Sequence, residues 1–267
     1  MKKYALILLT FALAISLAAC GSSGNGDKDT AKDQSLYDQI KEKGEITIGT
    51  EGTYAPFTYH DKEGKLTGFD IEIAEEVFKR LDIKPEFVET KWDGMIAGLD
   101  AKRYDMVANE VAVREERLEK YDMSDPYIVS KAVLVVHEDN NEIKTLDDLD
   151  GKKVGQSLDS NYRKIAEEHG ATNTVVEGFN QSIDLITSGR IDATLNDSLS
   201  YLDLKKQRPE LPVKTVYEEE NATSNAFLFR KGSDELVEAV NGALAEMKED
   251  GTYLEISKKW FNTDVSK

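Results

Sequence analysis

The stretch YDMVANEVAVREERLEKYDMSDPY, residues 104–127, carries the pattern from which the fold can be predicted. Its short apolar run, Met106–Ala108, predicts a buried strand, and a polar turn holding Glu110 and Arg117 is predicted to follow. In open α/β sheets, ligands bind beyond the carboxyl ends of the strands. We therefore interpret this stretch as one wall of a ligand cleft.

A second stretch of the chain repeats this pattern. WDGMIAGLDAKRYDMVANE, residues 92–110, aligns without gaps on FNQSIDLITSGRIDATLND, residues 179–197. Each copy contains an aromatic residue, helix-spaced apolar residues, an Arg-x-Asp turn, a strand, an Asn and an acid. The identities are few, so the match is a shared pattern rather than a proven duplication. It predicts two similar α/β units whose strand ends, at Glu110 and Asp197, face one another across a single cleft.

The first residues predict export. Two lysines precede an apolar run over residues 4–17, which is typical of a signal peptide and short for a membrane span. The motif LAAC at residues 17–20 resembles a bacterial lipobox, which implies a lipoprotein signal peptide over residues 1–19 and fatty acylation, such as palmitate, at Cys20. The alternative is an ordinary signal peptide with an incidental cysteine. Because Cys20 is the only cysteine of the chain, an intrachain disulfide is impossible.

Composition constrains the partners. Residues 20–35 are small and polar without apolar periodicity, so we expect a flexible tether after the lipidated cysteine. The chain has 34 basic and 51 acidic residues, a net charge of −17, which disfavours nucleic acid because nucleic-acid binding requires a basic surface. The same charge disfavours direct adsorption to anionic lipid. A lipid on Cys20 would then be the link to the membrane.

The rest of the chain alternates short strands with helices. A strand is predicted over residues 45–50, then an aromatic-rich loop over residues 51–59, then a helix with Asp70 as its N-cap. Such alternation favours mostly parallel sheets covered by helices on both faces. A single apolar strand over residues 127–136 is predicted to leave the first unit.

The chain is predicted to return to its first unit near the end. The run NAFLFR, residues 225–230, reads as a strand rejoining that unit. We therefore predict a discontinuous first lobe, residues 36–131 and 225–267, and a second lobe, residues 132–224. Two thin crossings between them would act as a hinge for closure around a small molecule.

Several motifs together resemble the polar amino-acid-binding proteins of ABC importers over residues 46–261. They are TYAPF at 53–57, GKLTGFD at 64–70, SDPY at 124–127 and DATLND at 192–197. The stretches TEGTYAPFTY at 50–59 and QSLDSNY at 156–162 most resemble the cystine-binding branch. The resemblance implies a two-lobed periplasmic-binding-protein fold, with two α/β domains that contain mixed sheets and are joined by a two-strand hinge. It also implies a monomer that uses no cofactor and delivers a polar L-amino acid, here L-cystine, to a permease in the membrane.

The resemblance also implies roles for individual residues. Arg117 would pair with the ligand α-carboxylate, helped by backbone N–H groups near Ala112 and Ser160. Asp197 would accept from the α-ammonium, with the Glu110 carbonyl also available. The chemistry fits independently, because a guanidinium matches a carboxylate fork and a desolvated zwitterion needs both charges met.

Each of these assignments has a plainer alternative. The resemblance implies that Tyr54, Phe57 and Trp92 sandwich the ligand side chain, but all three are also suited to core packing. Further candidates are Ser157, Ser160 and Asn161, which equally suit the start of a helix. Arg117 could be a solvated surface residue, and Asp197 could be a helix N-cap.

The far end of the ligand is left open by the sequence. A double-headed ligand such as cystine needs an acceptor for its second ammonium, and Glu51, Asp93 and Asp159 are all candidates. This chain departs from the family at Ala112, where a Thr is usual, so a hydroxyl contact is lost there.

Two other function classes remain open. One is an enzyme on the same fold, such as a dehydratase, with Glu110 or Asp197 as general acid; the other is a sensory ligand-binding protein. No catalytic residues are recognisable, since none of the three histidines has a metal-like or triad-like setting and no glycine-rich phosphate loop follows a strand. We therefore expect no metal and no nucleotide.

Overall fold

The computed structural model describes residues 34–267, which form two lobes. The helices are α1 (Leu36–Lys43), α2 (Phe69–Arg80), α3 (Trp92–Asp100), α4 (Glu115–Leu118), α5 (Asn161–Glu168), α6 (Phe179–Thr187), α7 (Ser198–Gln207), α8 (Asp234–Asp250) and α9 (Thr252–Phe261), with a 3₁₀ turn at Leu146–Leu149. The strands are β1 (Glu45–Thr50), β2 (Thr53–Tyr54), β3 (Thr58–His60), β4 (Leu66–Thr67), β5 (Lys84–Glu89), β6 (Met106–Ala112), β7 (Tyr121–Met123), β8 (Ile128–Ser130), β9 (Ala132–His137), β10 (Lys153–Gln156), β11 (Thr172–Val175), β12 (Ala193–Asp197), β13 (Val213–Glu218) and β14 (Thr223–Arg230).

The predicted signal peptide, Cys20 and the tether up to residue 33 lie outside the described residues. From residue 34 onwards, no helix combines the length and the apolar character that a membrane crossing requires. Ser35 caps α1, because its hydroxyl accepts a hydrogen bond from the Asp38 N–H at 3.1 Å.

Both large sheets are mixed. In the first lobe the strand order is β5-β1-β6-β14-β7, with β8 also paired to β14. Strands β5, β1 and β6 are parallel, whereas β14 runs antiparallel to β6, β7 and β8. The second lobe has the order β11-β10-β12-β9-β13, in which β9 is antiparallel to both neighbours. Each sheet contains one strand that enters from the other lobe, β14 in the first and β9 in the second, and this strand runs antiparallel to its neighbours. The alternation of strands and helices therefore overstates how parallel the sheets are.

The sequence repeat corresponds to a repeat of local structure. In the first lobe the Asp105 carboxylate accepts from the Thr47 N–H at 3.0 Å, while the Asp105 N–H donates to the Thr47 carbonyl at 2.8 Å. In the second lobe Asp192 and Lys153 make the same two contacts, both at 2.8 Å. In each lobe the Asp thus ties the turn before one strand to the first strand of the unit.

The predicted strand over residues 127–136 is in fact two strands in two different sheets. Strand β8 ends at Ser130 in the first sheet, and β9 begins at Ala132 in the second. The chain crosses back between Glu218, the end of β13, and Thr223, the start of β14. Apolar periodicity cannot show such a change of sheet, because both strands are buried. The lobe boundaries at residues 131 and 224 stay a prediction.

Helices cover both faces of the second sheet. Strand β9 shows this most clearly, since Val133 and Val135 belong to one apolar cluster and Leu134 and Val136 to another. Alternate side chains of a strand point to opposite faces, so this strand is buried on both. The carboxyl end of β12, the neighbour of β9, therefore lies in a sheet that is packed on both faces.

Candidate ligand-binding cleft

A cavity of about 690 Å³, including space open to solvent, lies between the two lobes. Eight of the predicted site residues line it: Tyr54, Trp92, Glu110, Ala112, Arg117, Ser157, Ser160 and Asn161. Phe57 and Asp197 do not. The ends of β6 and β12 meet at this cavity, as the sequence repeat predicted.

Within residues 34–267, Arg117 contributes a cation that forms no salt bridge with a carboxylate. Its Nη1 donates to the Ala112 carbonyl at 2.8 Å, and its guanidinium lies 5.5 Å from the centre of the Trp92 ring. Among the described residues these are the contacts of the guanidinium, and neither partner is a carboxylate. Burial lowers the pKa of Arg117, and the nearby Arg114 adds to this. The remaining guanidinium N–H groups are available to an anionic ligand group.

Asp197 lies behind the cavity wall, where it caps a helix. It is 1% exposed, its Oδ1 accepts from the Leu199 N–H at 2.8 Å, and its Oδ2 accepts from the Ser130 hydroxyl. The N-cap alternative is therefore what the structure contains. Burial raises the pKa of the Asp197 carboxyl. A role of Asp197 towards an ammonium group stays a prediction.

Glu110 lies inside strand β6 rather than in a turn after it, which corrects the prediction. Its φ of 49° is left-handed, and it sits at a register irregularity where β6 pairs with β14. A bulge of this kind turns a side chain away from the regular alternation of the strand. The carboxylate accepts from the Tyr54 hydroxyl at 2.8 Å and from Asn225 Nδ2 at 3.2 Å. Burial raises the pKa of Glu110 well above its usual range, and the neighbouring Asp197 carboxyl adds to this.

Asp70 is not the N-cap of its helix. Helix α2 begins at Phe69 after Gly68, and Asp70 is fully buried with its carboxylate accepting from the Glu110 N–H. Burial raises the pKa of Asp70 to about 7.

A Cβ at Gly68, whose φ is 140°, would overlap the Phe57 carbonyl, so only glycine allows this close approach.

Two of the three predicted aromatic residues lie on the cavity wall. The Tyr54 hydroxyl bonds to Glu110 in its own lobe and lies 3.0 Å from Asn196 Oδ1 in the other. Trp92 starts α3 and lies against Arg117. Phe57 is fully buried and packs 6.1 Å from the Phe261 ring, so it is a core residue and the prediction that it walls the ligand is corrected. The sequence of this short aromatic loop did not indicate which ring faces the cavity and which packs in the core.

The polar residues of the second lobe sit at the start of a helix. Ser160 is the N-cap of α5, and its hydroxyl accepts from the Tyr162 N–H at 3.1 Å. Ser157 and Asn161 line the cavity beside it. Capping and a wall position are therefore both observed for Ser160, since helix N-termini present backbone donors where their caps lie.

Of the three candidates for a distal acceptor, the structure brings one to the cavity. Glu51 lines it, and its carboxylate accepts from Asn109 Nδ2 at 2.8 Å. Burial raises the pKa of Glu51 to about 7. Asp93 and Asp159 do not line the cavity; instead the Asp93 carboxylate accepts from the Asp159 N–H at 3.2 Å at the rim.

Sequence reasoning missed several polar wall residues. Asn225, Tyr162 and Gln156 line the cavity, and none was singled out for a site role. Gln156 and Tyr162 stand in the QSLDSNY motif, which offered a signal. Asn225 begins an apolar run that reads as an ordinary strand, so its approach to Glu110 depends on sheet pairing that only the structure gives.

Polar contacts join the two lobes around the cavity. Lys164 pairs with Glu116 at 2.6 Å across the rim, and Lys91 pairs with Glu177. Deeper in, the Ser200 hydroxyl donates to the Ala55 carbonyl at 3.0 Å. The lobes thus lie close enough for direct hydrogen bonds across the cleft.

Known proteins are similar to this chain in sequence and architecture. Residues 46–263 match the family model of the bacterial extracellular solute-binding proteins, family 3. The chain is 52% identical to the L-cystine-binding protein TcyA of Bacillus subtilis over the full length of both chains. An ancestral arginine-binding protein bound to arginine matches with a TM-score of 0.77 at 40% identity, covering 82% of this chain and 98% of that one.

A third similar protein differs in its conformation. The L-cystine solute receptor of Neisseria gonorrhoeae, in the unliganded open conformation, is 47% identical over 87% of this chain and 99% of that one. Its TM-score is nevertheless only 0.59, below that of the less identical arginine-bound protein. The arrangement of the lobes here therefore resembles the ligand-bound protein more than the open one, in agreement with the hydrogen bonds across the cleft.

Proposed function

The chain belongs to family 3 of the bacterial extracellular solute-binding proteins, and from this premise we propose that it binds L-cystine between its lobes and delivers it to an ABC permease. The observation that carries the proposal is the polarity of the cavity wall. An arginine that forms no salt bridge in the described part of the chain lies on it, and buried carboxyl groups lie on or just behind it.

The arginine suits the α-carboxylate of an amino acid. The contact of Arg117 with the Ala112 carbonyl and the Trp92 ring holds the guanidinium in one orientation before a ligand arrives. A planar guanidinium held in this way offers two parallel N–H donors to a carboxylate. Preorganisation of this kind lowers the entropy lost on binding.

The carboxyl groups of Glu110 and Asp197 suit the α-ammonium. They come from different lobes, and neither is paired with a cation in the described part of the chain. A ligand ammonium at this part of the wall would supply the missing positive charge. Leaving a desolvated ligand charge without a partner costs about 3–5 kcal/mol.

Glu51 supports a ligand with two heads. Its carboxyl lines the same cavity and is bonded to a neutral amide, so a second ammonium would be its natural charge partner. L-Cystine carries two ammonium groups and two carboxylates, and TcyA, 52% identical to this chain, is named as L-cystine-binding. Both observations favour cystine over a singly charged side chain.

Binding at both lobes favours closure. Arg117 and Glu110 belong to the first sheet with its helices, and Asp197 to the second. A ligand that contacts both lobes binds the closed form better than the open form and so shifts the population towards it. The permease would then be presented with a closed, loaded protein.

We propose that the protein acts outside the cytoplasmic membrane as a lipid-anchored monomer. The lipobox-like LAAC motif at residues 17–20 and the polar stretch that follows it support this proposal. The proposed role is binding without chemical conversion, and it is supported by similar proteins that are named as binding proteins.

The test is ligand binding by matched arginine variants. With the purified protein, we expect L-cystine to raise the melting temperature and to give a binding isotherm. Arg117→Ala should abolish the response, whereas Arg114→Ala should retain it, because Arg114 does not line the cavity. An equal response from both variants, or none from the unaltered protein, would refute the proposal.

Two further measurements separate this function from its alternatives. If mass spectrometry recovers cystine unchanged after incubation, the dehydratase alternative is excluded for that ligand. If deletion of the gene lowers cystine uptake by the cell, a purely sensory role is excluded.

A further inference from the structure

The hydrogen bonds around Glu110 contain one hydrogen too few if its carboxyl is ionised. The Tyr54 hydroxyl lies 2.8 Å from Glu110 Oε2 and 3.0 Å from Asn196 Oδ1. That Asn196 atom also accepts from the Asp197 N–H at 2.8 Å, which identifies it as the amide oxygen. One hydroxyl hydrogen cannot make a full hydrogen bond to two acceptors at once. A hydrogen on Glu110 resolves the conflict, since it donates to Tyr54 while Tyr54 donates to Asn196.

The surroundings of Glu110 also favour its neutral form. The residue is 8% exposed, and its hydrogen-bond partners in the described part of the chain include no cation. The titratable groups that face it are Asp70 from α2, Asp197 from the β12–α7 junction, Tyr54 from β2, Tyr127 before β8, Tyr162 from α5 and Arg117 from α4. Arg117 is the cation of this set, and it is bonded to Ala112 rather than to Glu110. Two neighbouring carboxyls and burial both disfavour a charge on Glu110.

Asp197 differs from Glu110 in the donors that it receives. Its two oxygens accept from a backbone N–H and from the Ser130 hydroxyl, and both contacts stabilise the ionised form. Glu110 Oε1 accepts one long hydrogen bond, from Asn225 Nδ2 at 3.2 Å. When two carboxyl groups share a buried site, one of them keeps a proton. The donors assign the charge to Asp197 and the proton to Glu110.

We propose that Glu110 holds a proton in the empty closed site and releases it when the α-ammonium of the ligand enters, so that binding exchanges one proton for one ligand cation. This inference rests on the proposed function. The O–H bond of Glu110 breaks, the proton passes to solvent, and a ligand N–H donates to the carboxylate left behind. The total charge of the site is unchanged by the exchange, because the two carboxylates are ionised together only while the ligand ammonium lies beside them.

Proton release gives the affinity a defined pH dependence. Below the pKa of Glu110 in the empty protein, the association constant should rise about tenfold for each pH unit, because one proton leaves for each ligand bound. Above that pKa the affinity should level off. Glu51 also faces the cavity, so the Glu51→Gln protein should keep this slope if Glu110 is its source.

The number of protons released can be measured directly by calorimetry. Titration of the protein with L-cystine in phosphate and in Tris at one pH gives that number from the dependence of the binding enthalpy on the ionisation enthalpy of the buffer. We expect the unaltered protein to release about one proton more than Glu110→Gln. Glu63→Gln, which changes an exposed carboxyl in the β3–β4 turn, should behave as the unaltered protein. An equal number for all three overturns the inference and leaves the proposed function standing.

A second measurement needs no ligand. The infrared carbonyl band of protonated carboxylic acids, recorded for the empty protein at neutral pH, should lose intensity in Glu110→Gln and keep it in Glu63→Gln. Equal bands in all three proteins overturn the inference. If the band is lost as expected and yet no amino acid binds, the proposed function fails while the protonated state of Glu110 is supported.

Discussion

At the scale of single residues, a buried acid such as Asp70 makes the stability of this protein depend on pH. Burial raises its pKa to about 7, whereas the pKa of an Asp in the unfolded chain is about 4. The folded state therefore holds the proton more tightly. The ionisation of Asp70 does not change the free energy of unfolding below about pH 4, lowers it progressively up to about pH 7, and lowers it by a constant amount above that pH.

Asp70→Asn should remove this dependence. Between pH 4 and pH 8 the ionisation of Asp70 should lower the free energy of unfolding of the unaltered protein by about 4 kcal/mol, since its pKa differs by about 3 units between the two states and one unit is worth about 1.4 kcal/mol. In Asp70→Asn this part of the decrease should be absent. Urea unfolding at both pH values measures the difference. The same change at the exposed Asp125 is the matched control, and a parallel pH profile for both variants would contradict the argument.

The residue that holds the far end of the ligand can be identified by three matched amide variants. Glu51→Gln should weaken L-cystine binding by about 10- to 100-fold, because a hydrogen bond to a charged group contributes roughly 1.5–3 kcal/mol. Asp93→Asn and Asp159→Asn should leave the affinity nearly unchanged, since neither residue lines the cavity. Calorimetric titration of the three proteins checks this, and a larger loss in either Asp variant would reassign the distal contact.

Sequence reasoning identified several wall residues that stand in motifs and missed positions that are set by packing. Arg117, Tyr54 and Trp92 lie on the cavity wall as predicted. Phe57, three positions after Tyr54, does not, because the close approach at Gly68 directs that part of the aromatic loop into the core. The left-handed backbone of Glu110 has no signature in its residue type.

At the scale of elements, helix α3 makes a close contact with its lobe at one glycine. A Cβ on Gly98 would overlap the hydroxyl of Tyr104, which donates to the Met95 carbonyl in the same helix. Tyr104 is fully buried and has no alternative position without repacking. The helix that begins with Trp92 thus approaches the sheet at the distance that a glycine permits.

Gly98→Ala should therefore destabilise the fold despite the better helix propensity of alanine. We expect a loss of about 1–3 kcal/mol in the free energy of unfolding from overpacking. Gly242→Ala, in α8 with no atom near the new Cβ, should instead stabilise by about 0.5–1 kcal/mol. Chemical denaturation of both variants tests the contrast; stabilisation by Gly98→Ala would show that Tyr104 moves easily.

Elements were predicted most accurately where either a regular alternation or a repeat marked them. Strand β1 was predicted over residues 45–50 and occupies Glu45–Thr50, and the repeated helix–turn–strand units are present in both lobes. Residues 127–136 were predicted as one strand because a buried run looks the same whether or not it changes sheet. The aromatic loop forms a small sheet of β2, β3 and β4, whose two- and three-residue strands are too short for an alternating pattern.

At the scale of the whole molecule, ion pairs at the rim add to closure only weakly. Lys91 with Glu177 and Lys164 with Glu116 join the lobes, but all four side chains are more than half exposed. Water and salt screen such pairs, so the buried contacts around Tyr54 and Ser200 should dominate the closed state.

Removing both rim lysines should accordingly have a small and salt-sensitive effect. We expect the Lys91→Ala, Lys164→Ala double variant to bind ligand about 2- to 5-fold more weakly at low salt and equally at about 0.5 M salt. Lys152→Ala, which removes a pair with Glu142 inside the second lobe, should bind normally. A loss above about 100-fold would mean that the rim, rather than the deep contacts, controls closure.

Because the rim residues of the two lobes meet directly, the molecule is well suited to optical detection of its ligand. Its one natural cysteine is Cys20, so a thiol introduced at the exposed Leu158, in a protein with Cys20 replaced, would be a unique attachment point for an environment-sensitive dye. Leu158 adjoins Asp159, whose N–H donates to Asp93 of the first lobe, so such a dye would lie nearer the opposite lobe when the lobes meet than when they part. Its emission would then give the fraction of loaded receptor in a sample, which makes this protein a candidate fluorescent sensor.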